Sequence, residues 1–169
     1  RGANDGIASV SAIVVGVAGV EDSLKLILTA GIATLIEGAL SMAVGEYVSV
    51  SSQRDTEKAM LEKERLEIEN NPEEELEELS MLYEKKGLTN TTARIVAKEL
   101  SAHDTLAAHA DVELGIDPNN LTNPLSASRA SGLAFLSGGS IPIFATIFSP
   151  KLMRVSITFI SVFCVLFVI

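Results

Sequence analysis

The chain has 169 residues, of which 47% are hydrophobic, and it carries a formal net charge of −9. Its mean hydropathy is +0.34, so apolar and acidic residues must be segregated, which excludes an ordinary soluble domain with a mixed surface. The acidic balance also excludes nucleic acid as a partner, because phosphate contacts need Lys and Arg.

The net charge lies in one central block. Residues 54–117 hold 17 Asp and Glu against 8 Lys and Arg, whereas the rest of the chain holds 5 of each. The only cysteine, Cys164, lies in an apolar run, and a single cysteine cannot form an internal disulfide. We therefore predict an acidic domain over residues 54–120, with membrane helices in residues 1–53 and 121–169.

Four apolar stretches predict four membrane helices, each of which needs about 20 residues to cross the hydrocarbon core. The first, residues 7–20, reaches that length only if residues 3–6 join it, which carries Asp5 into the membrane. The other three stretches cover residues 24–50, 125–148 and 152–169.

The first residue is Arg1 rather than Met, and the last apolar run continues to Ile169, so we expect a fragment.

A tight hairpin at residues 21–23 makes the first two helices antiparallel. The acidic block then lies on the same side as Arg1. Arg54, Lys58 and Arg129 flank the block, which favours a cytoplasmic location by the positive-inside rule. Lys151 and Arg154 on the opposite side weaken that preference.

The acidic block predicts three helices. The first continues from the second membrane helix and breaks at Asn70-Asn71-Pro72, where Asn71 suits an N-cap and Pro72 the first helical position. Gly87 is a typical stop for the next helix, and the third helix ends at Gly115. The three predicted helices cover residues 54–69, 73–86 and 90–115.

Two pairs of glutamates point to a metal site. Glu64 and Glu67, and likewise Glu75 and Glu78, are spaced i,i+3 and therefore share a helix face. The Asn-Pro turn folds one helix back on the other, so the four carboxylates can face each other. Their mutual repulsion would be relieved by a divalent cation. The alternative is a solvated acidic face, to which Glu62, Glu69, Glu73, Glu74 and Glu77 are assigned.

The third helix adds an i,i+4 pair, His109 and Glu113. Imidazole suits Fe, Zn or Ni better than Ca, although a surface hydrogen bond is the simpler explanation of a single His–Glu pair. No Glu-x-x-His motif of di-iron bundles and no calcium-binding loop occurs.

Ionisable residues inside membrane helices are candidates for an ion pathway, because burying them in lipid is costly. Asp5, Glu37 and Glu46 qualify, and Met42 shares a face with Glu46. Asp5 and Glu46 can alternatively lie at the interface, and Met42 can be plain packing.

The stretches Gly2–Ile7, Gly38–Ser49 and Glu113-Leu114-Gly115 resemble the vacuolar iron transporter family and its bacterial relatives. The resemblance implies an all-α polytopic bundle of five membrane helices, of which four are visible here, and a homodimer with a three-helix cytoplasmic metal-binding insert. It also implies a pathway through Asp5 and Met42 at the dimer interface. The family's metal-binding glutamates match Glu64, Glu67, Glu75, Glu78 and Glu113.

Two departures from the family pattern stand out. Plant members place a Met pair where this chain has His109 and Ala110, and Glu37 stands where bacterial relatives would have a small or apolar residue. The sequence Gly-Glu-Tyr-Val-Ser at residues 45–49 resembles that of bacterial members and favours a location in a plasma membrane, whereas plant and fungal members act at the vacuole.

The resemblance implies export of Fe²⁺, and often Mn²⁺, from the cytosol in exchange for protons, and we expect no tightly bound cofactor and no enzymatic activity. The insert would capture the ion and pass it to Asp5 and Met42. The alternatives are a membrane-anchored metal buffer or sensor, a ferroxidase, and a scaffold whose acidic face is merely solvated.

Overall fold

The computed structural model describes the backbone of residues 2–168 and the side chains there except those of residue 161 and residues 165–168. All regular elements in its described part are helices, which confirms the all-α prediction. Arg1 and Ile169, the ends of the predicted membrane segments, lie outside the described residues. The helices are α1 (Gly2–Ala18), α2 (Leu24–Asn70), α3 (Pro72–Lys85), α4 (Asn90–His109), α5 (Pro124–Phe148) and α6 (Arg154–Val168), with a π-helical turn at Ala110–Leu114 and a 3-10 turn at Lys151–Met153.

The turns between α2, α3 and α4 follow local sequence signals. Asn71 occupies the N-cap position of α3 as predicted, although its side chain makes no capping hydrogen bond, and Pro72 begins the helix. Gly87 takes a positive φ of 104° after α3, a conformation that glycine adopts without steric cost. Thr89 then caps α4 by accepting a hydrogen bond from the backbone N–H of Thr92.

The third helix of the acidic block differs from the prediction of one unbroken helix up to Gly115. At Asp104 the backbone leaves the helical region, with φ −158° and ψ 98°. The Asp104 carboxylate accepts a hydrogen bond from the Ala107 backbone N–H at 3.0 Å, because short polar side chains compete with the helix for backbone donors. The wider turn Ala110–Leu114 follows, and Gly115 ends it in the left-handed region.

The chain divides into two compact units, the first comprising residues 1–50 and 123–169. By length and composition, α2 and α5 can cross a membrane, while α1 is apolar but has only 17 residues. The hairpin after α1 brings α2 back alongside it, so that Gly31 lies against the Val14 side chain. The buried core of this unit consists of Val10, Val14, Ile27, Ala39, Phe135 and Ile143.

Glycines allow α1, α2 and α5 to approach closely. A Cβ at Gly138 would lie 2.0 Å from the Ala3 carbonyl oxygen, and one at Gly6 would lie 2.3 Å from the Phe135 carbonyl oxygen. At Gly38 the ring of Phe135 fills the space where a side chain would be. Such contacts let backbones pack directly, as small residues do in membrane bundles.

The second unit comprises residues 51–122 and contains the end of α2 together with α3 and α4. Its apolar core is small. Leu79 of α3 is fully buried against Ala97 and Ala108, with Tyr83 and Val112 packed around them. This packing holds the inner faces of α3 and α4 together, and the polar site described next lies in the same unit.

Candidate metal centre

Three helices of the second unit each contribute one side chain to a buried polar cluster. Glu64 of α2 and His109 of α4 are 4% and 0% exposed, and Glu75 of α3 is 13% exposed. The Nδ1 atom of His109 lies 2.9 Å from Glu64 Oε1 and 3.7 Å from Glu75 Oε2. One donor atom from each residue falls within 4.8 Å of the other two, an arrangement that could hold a metal ion.

The cluster owes its geometry to two local features of the chain. The Asn71-Pro72 turn reverses the chain after α2, so Glu75 in the first turns of α3 returns toward Glu64. The break at Asp104 separates the end of α4 from its first part, and His109 is the last residue of α4. The sequence predicted the Asn71-Pro72 turn but not the break at Asp104. The available signal for the break is Asp104 itself, since a short polar side chain can accept a hydrogen bond from the backbone N–H three residues later.

Burial and like charges raise the proton affinity of the carboxylates. Burial, followed by the charges of Glu113 and Glu75, raises the pKa of Glu64 to about 7. Burial, followed by the charge of Glu78, also raises the pKa of Glu75. A proton or a cation therefore relieves the same repulsion, so either one can occupy these oxygens.

His109 responds in the opposite direction. Burial lowers its pKa, and the charges of Glu113 and Glu78 only partly oppose this. The imidazole is therefore neutral at physiological pH and keeps a lone pair on one nitrogen, which is the form that binds metals.

The other three predicted ligands lie at the edge of the cluster. Glu113 Oε2 is 3.9 Å from His109 Nδ1, and its side chain is 33% exposed. Glu67 is 40% exposed and pairs with Lys63 at 2.9 Å, and Glu78 is exposed. The charges of all three nevertheless contribute to the raised pKa of Glu64, so they lie near it.

Lys63 was not among the predicted site residues, although its i,i+4 spacing to Glu67 was a readable signal. The glutamates assigned to a solvated face are exposed as predicted, and several pair with cations. Arg65 bonds both Glu62 and Glu69, and Arg94 bonds Glu77 at 2.6 Å. Exposed pairs of this kind contribute little stability.

The candidate pathway residues lie in the first unit. Asp5 on α1 and Glu37 on α2 are exposed, and Glu46 is half-buried. Met42 is half-buried and packs against the apolar core of that unit. Within the described part of the chain, Asp5, Glu37 and Glu46 do not form a second ligand group like the Glu64 cluster.

Two helices of membrane length, together with an acidic helical unit that could hold a cation, favour a helical membrane protein that handles metal ions. A sequence model of the VIT family matches residues 1–169. The chain belongs to this family, as its resemblance indicated.

Individual relatives are consistent with the family assignment. A protein of Acanthamoeba castellanii named vacuolar iron transporter is 50% identical over 149 residues, covering 88% of this chain and 54% of the relative. Vacuolar iron transporter homolog 2.1 of Arabidopsis thaliana is 32% identical over 147 residues, covering 87% of this chain and 51% of the relative. The chain thus spans about half the length of these two relatives.

Proposed function

We propose that this chain belongs to a divalent-metal transporter that exports Fe²⁺, and also Mn²⁺, from the cytosol by exchange with protons. The observation that carries the proposal is the buried cluster of Glu64, Glu75 and His109, which brings two carboxylates and a neutral imidazole within 4.8 Å of one another. Family membership supports it, since relatives of this chain are named vacuolar iron transporters.

In this proposal the acidic unit is cytoplasmic and captures the ion. Glu64 and Glu75 bind the cation directly, while Glu67, Glu78 and Glu113 add negative charge at the edge and complete the coordination. Without the ion, burial and then the charges of Glu113 and Glu75 raise the pKa of Glu64, so the ionised carboxylates are destabilised both by desolvation and by mutual repulsion. That repulsion favours renewed uptake of a cation from the cytosol.

The membrane part supplies the route. We propose that α1, α2, α5 and α6 are four membrane helices of a bundle with a fifth, and that two copies form a homodimer. The ion passes Asp5 and Met42 at the subunit interface, with Glu46 and Glu37 along the same helix pair. A carboxylate such as Asp5 can hold either a metal ion or a proton, which is the chemical requirement for exchange.

Flux into proteoliposomes carrying a pH gradient tests the transport proposal. The wild-type protein should take up Fe²⁺ and Mn²⁺ when the gradient is imposed, and Asp5→Asn should abolish uptake while metal binding in detergent is retained. Asp22→Asn is the matched control, because Asp22 is exposed and is not one of the proposed pathway residues. Its carboxylate pairs with Lys151 at a distance of 2.8 Å. Undiminished uptake by Asp5→Asn would refute the pathway.

The flux assay and a measurement of oxygen consumption together separate the rival functions. A membrane-anchored buffer or sensor would bind the ions without gradient-driven flux in the wild-type protein. A ferroxidase would consume oxygen when Fe²⁺ is added, which an oxygen electrode detects.

A further inference from the structure

His109 is buried in a way that ordinary packing does not explain. Its side chain is 0% exposed, yet neither ring nitrogen has a hydrogen-bond partner of acceptable geometry among the described residues. A buried polar atom without a partner costs free energy. An imidazole in this state either is tolerated as a strained core residue or receives a partner that the polypeptide does not supply.

The distances around Nδ1 favour a metal ion as that partner. Glu64 Oε1 is 2.9 Å from Nδ1 but is not aligned for a hydrogen bond. Glu75 Oε2 at 3.7 Å and Glu113 Oε2 at 3.9 Å are too far away for hydrogen bonds to Nδ1. Donors about 2.1 Å from one shared ion are separated from each other by roughly 3 to 4.2 Å. The 2.9, 3.7 and 3.9 Å separations measured from Nδ1 fall at or within that range.

We propose that His109 is the residue that sets the ion selectivity of the cluster, binding through Nδ1 and favouring Fe²⁺, Co²⁺ and Zn²⁺ over Mn²⁺, Ca²⁺ and Mg²⁺. The inference rests on the proposed function, because it requires that the cluster bind cations at all. It goes beyond that function by assigning discrimination among cations to one side chain.

The chemistry of the ligands carries the argument. A site built only of carboxylates suits Mg²⁺, Ca²⁺ and Mn²⁺, whereas imidazole suits Fe, Zn, Cu and Ni. Affinities at mixed nitrogen and oxygen sites rise from Mn²⁺ through Fe²⁺ and Co²⁺. Because His109 is the one nitrogen donor of the group that the described residues form, removing it leaves oxygen ligands only.

Competition for bound Mn²⁺ in the full chain, purified in detergent under anaerobic conditions, tests the inference. Electron paramagnetic resonance reports the Mn²⁺ that Zn²⁺, Co²⁺, Fe²⁺ or Ca²⁺ displaces. We expect Zn²⁺ and Co²⁺ to displace Mn²⁺ from the wild-type protein at concentrations at least about tenfold below those of Ca²⁺. His109→Gln should reduce the ratio of Zn²⁺ to Mn²⁺ affinity by roughly tenfold, because it replaces nitrogen by oxygen at similar volume.

The chain offers a matched control, since its only other histidine, His103, is exposed. His103→Gln should leave every affinity ratio unchanged. Pulsed electron paramagnetic resonance of Mn²⁺ bound to the wild-type protein should also show coupling to a histidine ¹⁴N nucleus, and this coupling should persist in His103→Gln. That measurement does not depend on whether His109→Gln folds.

The possible failures are distinguishable. A wild-type protein that binds none of these ions overturns the proposed capture site itself. Mn²⁺ binding without ¹⁴N coupling, or an unchanged Zn²⁺ to Mn²⁺ ratio in a folded His109→Gln variant, overturns the selectivity role and leaves carboxylate capture intact.

Discussion

At the residue scale, the raised pKa of Glu64 is the most consequential property of the candidate centre. Its ordinary value is 4.5, and burial together with the charges of Glu113 and Glu75 raises it to about 7. The folded state therefore holds a proton at Glu64 more tightly than the unfolded state does. Between these two values, the metal-free protein loses stability as pH rises.

This predicts a specific pH dependence for the metal-free protein. In the presence of a chelator, lowering the pH from about 7.5 to about 6.5 should raise the unfolding temperature, because protonation relieves the buried charge. His109 opposes this trend near and below its ordinary value of 6.5, because its lowered pKa keeps it neutral in the folded state while the unfolded state takes up a proton. Thermal unfolding followed by circular dichroism measures the trend.

Glu64→Gln is the control for that experiment, because the amide keeps the shape and cannot ionise. The variant should lose most of the rise between about pH 7.5 and 6.5. With saturating Mn²⁺ the wild-type trend should reverse, since metal binding needs the deprotonated carboxylate. A wild-type protein whose metal-free stability is flat over this range would contradict the electrostatic account.

At the element scale, the packing of α1 and α5 depends on glycines at the contact. A methyl group at Gly138 would come within 2.0 Å of the Ala3 carbonyl oxygen, and backbone atoms cannot move aside cheaply. Gly138→Ala should therefore lower the unfolding temperature in detergent, although alanine is the better helix former.

Gly16→Ala provides the comparison for that substitution. A Cβ at Gly16 of α1 meets nothing within 4 Å, so the helix-propensity gain of about 0.5–1 kcal/mol is unopposed. We expect its unfolding temperature to be unchanged or higher. Equal destabilisation by both substitutions would show that close α1–α5 contact is not the cause.

The elements also show how far the sequence could predict this structure. Local signals such as Asn71-Pro72 and Gly87 placed the ends of α3 to within one residue, because cap and turn residues act on their own backbone. The break at Asp104 and the π-helical turn were missed, because the residues at these positions also occur in many unbroken helices.

The candidate site was predictable in part for the same reason. Spacing alone put Glu64 and Glu67, and Glu75 and Glu78, on common faces, but it could not tell which member of each pair is buried. In the structure Glu64 is buried, while Glu67 pairs with Lys63. A surface His–Glu hydrogen bond, the simpler explanation of the His109 and Glu113 pair, places His109 at the surface. In the structure His109 is fully buried, because burial depends on how the helices pack and not on local spacing.

At the scale of the whole molecule, charge and structure divide the chain in the same way. The excess acidic residues fall within residues 51–122, which form one compact unit, while residues 1–50 and 123–169 form the other. A cation captured by Glu64, Glu75 and His109 would therefore stabilise the second unit, because binding to the folded form alone shifts its opening equilibrium.

Hydrogen exchange tests this division directly. Adding Mn²⁺ to the full chain should slow exchange of backbone amides in α3, α4 and the part of α2 after residue 51, and leave α1 and α5 unchanged. The double substitution Glu64→Gln with Glu75→Gln should remove the effect. Uniform protection over both units, or protection that persists in the double variant, would count against a cation site in the acidic unit.

The π-helical turn Ala110–Leu114 makes the position of Glu113 depend on chain length. One residue advances a regular helix by about 100°, so deleting a single position between His109 and Glu113 would rotate Glu113 away from the imidazole. Which side chain lies beside His109 thus depends on the number of residues in this turn as well as on their identity. Relatives that are one residue shorter or longer here would present a different side chain to an ion bound at this cluster.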